Sequence, residues 1–252
     1  MISRADALRH VLERVAPLSP VEVEVASAAG LVLAEDVTAS RPVPPFANTA
    51  MDGIAVRAAD THHGAVLRLV GTVAAGDSGA IEVGRGQAVR IMTGAPVPPG
   101  ADAVVMVELC TFEGSGADET VTVASDVPVG NHIRPVGDDI AAGSVVLSAG
   151  SLISPGAIAL LRTVGRGTVR AHPRPRVGVM STGDELVEPP AELGPGQIYD
   201  SNRAALVALV TGSGFEPVDL GLIPDDERAI ERALRDGAAR CDAVLSSGGV
   251  SM

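Results

Sequence analysis

AHPRPRVGVMSTGDEL, residues 171–186, is where the chain changes its grammar. The prolines in AHPRPR (171–176) mark the strongest linker in the sequence. Beyond them, Val177–Met180 is a short apolar strand that exits into the polar loop STGDEL. The spacing then predicts a helix over Asn202–Val210 closing at Gly212 or Gly214 and a strand over Val218–Ile223. A helix over Asp226–Arg235 ending at Gly237 and a buried strand over Ala243–Leu245 complete the series. Such alternation implies a parallel sheet with right-handed crossovers. Its strands exit into STGDEL, PDD and SSGGV, at the carboxyl ends where sheets of this kind bind ligands.

Upstream of the linker the pattern is different. Ser3 with Asp6 forms a capping box ahead of Ala5, Leu8, Leu12 and Val15 at helical spacing, which predicts a first helix of about three turns. Val21, Val23 and Val25 alternate with Glu22 and Glu24 as in a half-buried strand. Short strand candidates follow near 54–56, 65–73, 87–91, 103–107 and 121–124, separated by Gly, Pro, Asp and Ser clusters. They predict a small antiparallel barrel or sandwich. Ser154 and Pro155 then cap a second helix that stops at Gly165.

Several residues stand out as chemistry-bearing. In PPFANTAMDGIAV (44–56) a stiff diproline delivers Asp52 onto Gly53, where the absence of a Cβ permits special geometry or close approach. An Asp-Gly pair is also a common turn. Thr93, at the end of an apolar strand in RIMTGAPVPPGADAVV (90–105), offers a hydroxyl to an oxyanion. In IRPVGDDI (133–140) the Arg134 fork suits a phosphate or tetrahedral oxyanion, the alternative being a salt bridge to Asp139 across the turn. Glu185 and Asp225, on separate strand-end loops, suit a Mg²⁺ that also meets a phosphate. Their alternatives are a solvated loop charge and a helix N-cap. Ser247, Gly248 and Gly249 resemble a phosphate-cradling loop or, equally, an ordinary tight turn.

Composition narrows the partners. A net charge of −12 over 252 residues argues against nucleic acid and acidic membrane surfaces as ligands. No run of about 18 apolar residues predicts a membrane span, and MISRADALRHVLERV has no signal core. Cys110 and Cys241 form no metal-ligand or disulfide framework, so a reducing, cytoplasmic setting is expected.

NTAMDGIAV, IMTGAPVPPGADAVV, IRPVGDDI, VMSTGDEL, GQIYDSNR, LGLIPDD and SSGGVS occur here in the order and spacing of the molybdopterin molybdenumtransferases. The chain therefore resembles the MoeA family, whose relatives include the carboxy-terminal domain of gephyrin. The resemblance implies insertion of molybdate into adenylylated molybdopterin with release of AMP and a requirement for Mg²⁺. It matches functional positions to Asp52, Thr93, Arg134 and Asp139, to Glu185 and Asp225 for the cation, and to Ser247, Gly248 and Gly249 for pterin or phosphate.

The architecture implied is α/β plus β. Residues 1–43 and 138–172 form a discontinuous linker domain, 44–137 an inserted small β domain, and 173–252 an incomplete three-layer parallel α/β domain of molybdopterin-binding type. A homodimer sharing its site between subunits is implied as well. The family pattern continues past SSGGVSM into a lysine-containing segment, whereas this sequence stops at Met252 and contains no lysine. A truncated chain is therefore expected, of uncertain activity in isolation. The alternative function is a non-catalytic dimeric scaffold, which has no need of the acidic set.

Overall fold

The computed structural model describes residues 2–248. Its contacts gather into two compact units. One comprises Asp36–Ser148 and Leu160–Arg166, the other the residues up to Glu35, Ala149–Ala159 and those from Gly167 onward. The chain opens with helix α1 (Arg4–Leu12) and strands β1 (Val21–Glu24), β2 (Val32–Leu33) and β3 (Val37–Thr38). Next come β4 (Asn48–Thr49), β5 (Gly53–Val56), β6 (Ala65–Val73), β7 (Gln87–Ile91), β8 (Ala103–Met106), β9 (Cys110–Glu113), β10 (Thr120–Val123) and β11 (Ile133–Arg134). β12 (Val145–Leu147), α2 (Pro155–Thr163) and β13 (Thr168–His172) lead into β14 (Arg176–Thr182), β15 (Leu186–Val187) and β16 (Ile198–Tyr199). The described chain ends with α3 (Asn202–Gly212), β17 (Glu216–Ile223), α4 (Glu227–Arg240) and β18 (Ala243–Ser247).

The unit built around residues 36–148 is organised by a six-stranded sheet in the order β8-β5-β7-β6-β10-β9. Side chains alternate across it. Ile54, Val56, Leu67, Val105, Val121 and Val123 bury on one face, and Ala55, Val73, Val89, Ile91 and Val104 on the other. Burial on both faces is why β5 and β8 read as unbroken apolar runs. The sheet is mixed, which corrects the antiparallel expectation: β6 and β7 pair in parallel. The connection over 74–86 is too long for a hairpin and folds Val83 into the core, so β7 returns in the same direction as β6. β9 lies outside the expected strands because its alternating apolar residues, Cys110 and Phe112, are too few to signal one. Two small ribbons, β3 with β12 and β4 with β11, complete the unit.

In the other unit Ser3 caps α1 by accepting the Asp6 N–H at 3.1 Å. Asp6 then accepts the Ser3 hydroxyl at 2.7 Å, so the reciprocal bond of a capping box is replaced. Leu8, Val11 and Leu12 on this nine-residue helix are exposed. β13 pairs between β1 and β2, and Val21 in β1 is 44% exposed, so that strand is shallower than its alternation suggests. Ala171 and His172 belong to β13 and Arg176 to β14, which reduces the expected linker AHPRPR to its three central residues.

The parallel sheet has the order β17-β14-β18, with α3 packing Leu206, Val207 and Val210 onto Val177 and Val179. α4 runs past Gly237 to Arg240. That glycine is a packing contact and not the expected terminator, since a Cβ there would lie 2.8 Å from Val244 and 3.0 Å from Leu220. β18 is less buried than its composition suggests, with Leu245 40% exposed, because among the described residues it pairs only with β14.

Candidate functional site

β4 is two residues long, yet three motifs meet on it. Its Asn48 pairs with Arg134 on one side and Pro96 on the other. Thr49 donates its N–H to the Ala95 carbonyl at 3.1 Å and accepts the Gly94 N–H at 2.9 Å, while Ala50 donates to His132. His132 holds a left-handed φ of 52°, a conformation that costs a non-glycine residue energy and fixes the approach to Arg134.

Just beyond, the Thr49 hydroxyl donates to the Met51 carbonyl and accepts its N–H, turning the chain sharply. Asp52 follows, its carbonyl held by the Val107 N–H. Gly53 is required by close approach: a Cβ there would run into the Val105 carbonyl, 2.9 Å from its carbon. Asp52 is thereby presented, as the sequence suggests, at the fixed start of a central strand.

One carboxylate oxygen of Asp52 accepts two bonds from Thr93, the hydroxyl at 2.6 Å and the backbone N–H at 2.7 Å. The second oxygen has no hydrogen-bond partner among the described residues and faces solvent. The hydroxyl bond first and the N–H bond second hold the Asp52 carboxyl below its ordinary value of 3.8. Folding therefore favours the ionised form, a contribution present above pH 3.8 and lost as pH falls through the lower folded value. Thr93→Val should move the Asp52 carboxyl titration back toward 3.8, read by carbon-13 NMR of the side chain; an unmoved titration would show that Thr93 does not hold it.

The other pair is a fork. Arg134 donates to Asp139 at 2.5 Å and lies 3.6 Å from Asp138, so the turn-spanning salt bridge forms. The same contacts, Asp139 first, hold the Arg134 guanidinium in its charged form. Its remaining Nη1 edge makes no hydrogen bond among the described residues and is available to an oxyanion. Asn48, Arg134's cross-strand neighbour, has a buried side-chain oxygen without a partner, a feature that motif reading missed.

Glu185, Asp225, Ser247 and Gly248 lie at the carboxyl end of the parallel sheet. The Gly183 N–H reaches the Ile223 carbonyl at 3.3 Å, and Asp184 accepts the Asp225 N–H at 3.1 Å. Ser247 pairs with Ser181 across β14 and β18. Gly248 has φ +102°, and a Cβ on it would sit 2.6 Å from the Thr182 carbonyl, so only glycine fits this approach. Gly249 lies outside the described residues.

The helix cap expected as one alternative for Asp225 is made by Asp226, whose carboxylate accepts the Ala229 N–H at 2.8 Å. Neither Glu185 nor Asp225 has a side-chain partner among the described residues, and both are exposed. Sequence reasoning missed Asp184, which ties these two loops together. No three His, Cys, Asp or Glu side chains converge as a closed metal cage among the described residues. Glu185 and Asp225 are two hard oxygen donors on loops joined by the Asp184–Asp225 bond.

Residues 2–165 match the family model for the MoeA N-terminal region, domains I and II, and residues 178–252 match the probable molybdopterin binding domain. The chain is 39% identical over its whole length to a molybdopterin molybdenumtransferase of Haemophilus influenzae, covering 62% of that protein. A namesake from Bacillus subtilis is 38% identical over 87% of this chain and 52% of its own length. A crystal structure of the molybdopterin biosynthesis MoeA protein of Pyrococcus horikoshii OT3 superposes over 100% of this chain and 67% of that one. The TM-score is 0.88 at 34% identity. The chain spans about three fifths of the length of the H. influenzae relative. With both of its regions matched in order, the chain belongs to the MoeA family.

Proposed function

We propose that this chain carries most of the active centre of a molybdopterin molybdenumtransferase, which inserts molybdate into adenylylated molybdopterin and releases AMP. The observation that carries the reading is the carboxyl end of the parallel sheet, where unpaired Glu185 and Asp225 stand on loops tied together beside the Ser247–Gly248 turn. A phosphoanhydride is cleaved in this reaction, and these are the groups such a cleavage needs. Close backbone approach at Gly248 receives a phosphate, and the two carboxylates hold Mg²⁺. Bound there, Mg²⁺ supplies neutralisation of phosphate charge.

The β-rich unit contributes the remaining chemistry. The open Nη1 edge of Arg134 anchors an oxyanion, molybdate being a tetrahedral dianion, and Asp139 keeps the guanidinium in place. The solvent-facing oxygen of Asp52, held ionised by Thr93, positions or accepts a proton from water. This reading takes 44–137 as an inserted β domain within a linker domain of 1–43 and 138–172, ahead of 173–252. It also takes the working form to be a homodimer in which each centre draws Asp52, Thr93, Arg134 and Asp139 from one subunit and Glu185 and Asp225 from the other.

The setting is cytoplasmic, in keeping with two unpaired cysteines. Cys110 has its thiol pushed up to about 11 by burial, so it remains protonated and unreactive. Among the described residues no helix is long and apolar enough to cross a membrane.

The decisive experiment supplies the full-length protein that carries this chain with adenylylated molybdopterin, Mg²⁺ and molybdate, and follows AMP. Release that depends on molybdate is expected. Its absence under conditions where a relative turns over would overturn the reading.

A further inference from the structure

The most enclosed polar network in the parallel-sheet unit centres on a buried arginine at the end of the GQIYDSNR motif. Arg203, at the first turn of α3, is only 8% exposed. Its Nε donates to Asp200 at 2.9 Å and its Nη1 to Asp219 at 2.5 Å, and it pairs with Glu188 as well. Asp200 is itself buried. It accepts the Ser181 hydroxyl at 3.0 Å and the Arg203 backbone N–H at 3.2 Å.

These partners lead to both proposed cation ligands. Asp200 ends the flap formed by β15 and β16, and its N–H bonds the Val187 carbonyl at 3.0 Å. Two residues earlier, the Ile198 N–H bonds the carbonyl of Glu185 at 2.8 Å. Asp219 sits at a bulge in β17, where it also accepts the Gly221 N–H at 2.8 Å; Gly221 takes φ +87° to make the bulge. Beyond that bulge β17 runs to Ile223, two residues before Asp225. One guanidinium thus fastens the flap that begins just after Glu185 and the strand that leads into the loop of Asp225.

We infer that Arg203, acting with Asp200, is the positioning residue that sets the spacing of Glu185 and Asp225 for a divalent cation. The inference rests on the proposed function for the identity of those two ligands. Arginine suits the role because its planar fork bonds several carboxylates in fixed directions, which a lysine ammonium cannot do. A bare charge effect has the opposite sign. Taking a positive charge away from an acidic neighbourhood attracts a cation more strongly, whereas loss of positioning weakens its binding.

The test is Mn²⁺ uptake by the full-length protein, read by electron paramagnetic resonance of the free ion, with no turnover required. Arg203→Lys keeps the charge and removes the fork, and Arg203→Met removes both. Both variants are expected to weaken Mn²⁺ binding, by roughly 10–100-fold for the methionine and less for the lysine. Their unfolding midpoints must stay above the assay temperature. Should the methionine variant fail to fold, the lysine variant decides alone.

Unchanged or tighter binding in either folded variant, while Glu185→Gln abolishes it in the parent, overturns the inference and leaves the proposed function standing. A parent that takes up no Mn²⁺ overturns both the inference and the assignment of the cation to Glu185 and Asp225.

Discussion

A one-to-one mixture of Asp52→Asn and Glu185→Gln forms of the full-length protein is expected to recover about a quarter of the parent's AMP release, although each variant alone loses at least ~100-fold. The arithmetic follows from a centre shared between copies. With free subunit exchange, half of the dimers are mixed, and each mixed dimer holds one doubly damaged centre and one intact centre. If each chain built its own centre, every centre would still carry one lesion and the mixture would stay at the level of the variants. The substitutions suit the test because both carboxylates are exposed at loop ends. Neither removes a buried partner, so both variants should fold. A mixture with activity no higher than its components, after exchange is verified by mass, would eliminate the shared centre while leaving the reaction itself in place.

Gly53→Ala is expected to be the most damaging single methyl group in the β-rich unit. Gly53 lies in β5, hydrogen-bonded on both sides to β7 and β8, so neither neighbour can withdraw without breaking a ladder. Its φ is ordinary, which separates this case from glycines needed for a left-handed conformation. The added Cβ would meet the Val105 carbonyl and little else can yield. Overpacking against backbone in a central strand should remove about 3 kcal/mol and lower the thermal midpoint by roughly 6–12 °C. Gly167→Ala is the matched control, since nothing lies within 4 Å of its Cβ position and its φ is also ordinary. Similar midpoints for the two variants would show that the β5–β8 approach is loose. Because Asp52 is adjacent, the damage should also reach its bonds to Thr93.

In the β-rich unit β6 and β10 were legible because burial of one face imposes period two, and β5 and β8 as short apolar runs buried on both faces. The α/β part was legible because apolar strands and capped helices alternate. What escaped was decided by contacts between segments distant in sequence. Parallel pairing of β6 with β7 depends on the fold of the connection between them, which leaves no local periodic trace. Gly237 carries the same residue signal whether it ends a helix or lets a helix approach a sheet.

The candidate acids were visible as motif residues, but their supports were not. Asp184 and Asp226 stand beside Glu185 and Asp225 in sequence, and only the bonds formed by the folded chain separate the tie and the cap from the unpartnered carboxylates. Arg203 stands in the quoted GQIYDSNR motif, but its burial was hidden for a different reason. Arginine is mostly a surface residue, and its burial follows from three carboxylates brought to it by a flap, a bulge and a loop.

The crossing at Asn48 and Thr49 bears on how this protein tolerates change in length. The three motif segments that meet there behave as stitches in one seam, so a residue added between Ala47 and Asp52, or between Gly94 and Val97, shifts every stitch at once. The hairpin tip over 114–118 joins β9 to β10 at the far edge of the sheet, outside that seam. Lengthening it adds only closure entropy, about 0.6 kcal/mol for each doubling of the loop. Insertions among descendants of this sequence should therefore collect at that tip, with the seam inherited at constant length.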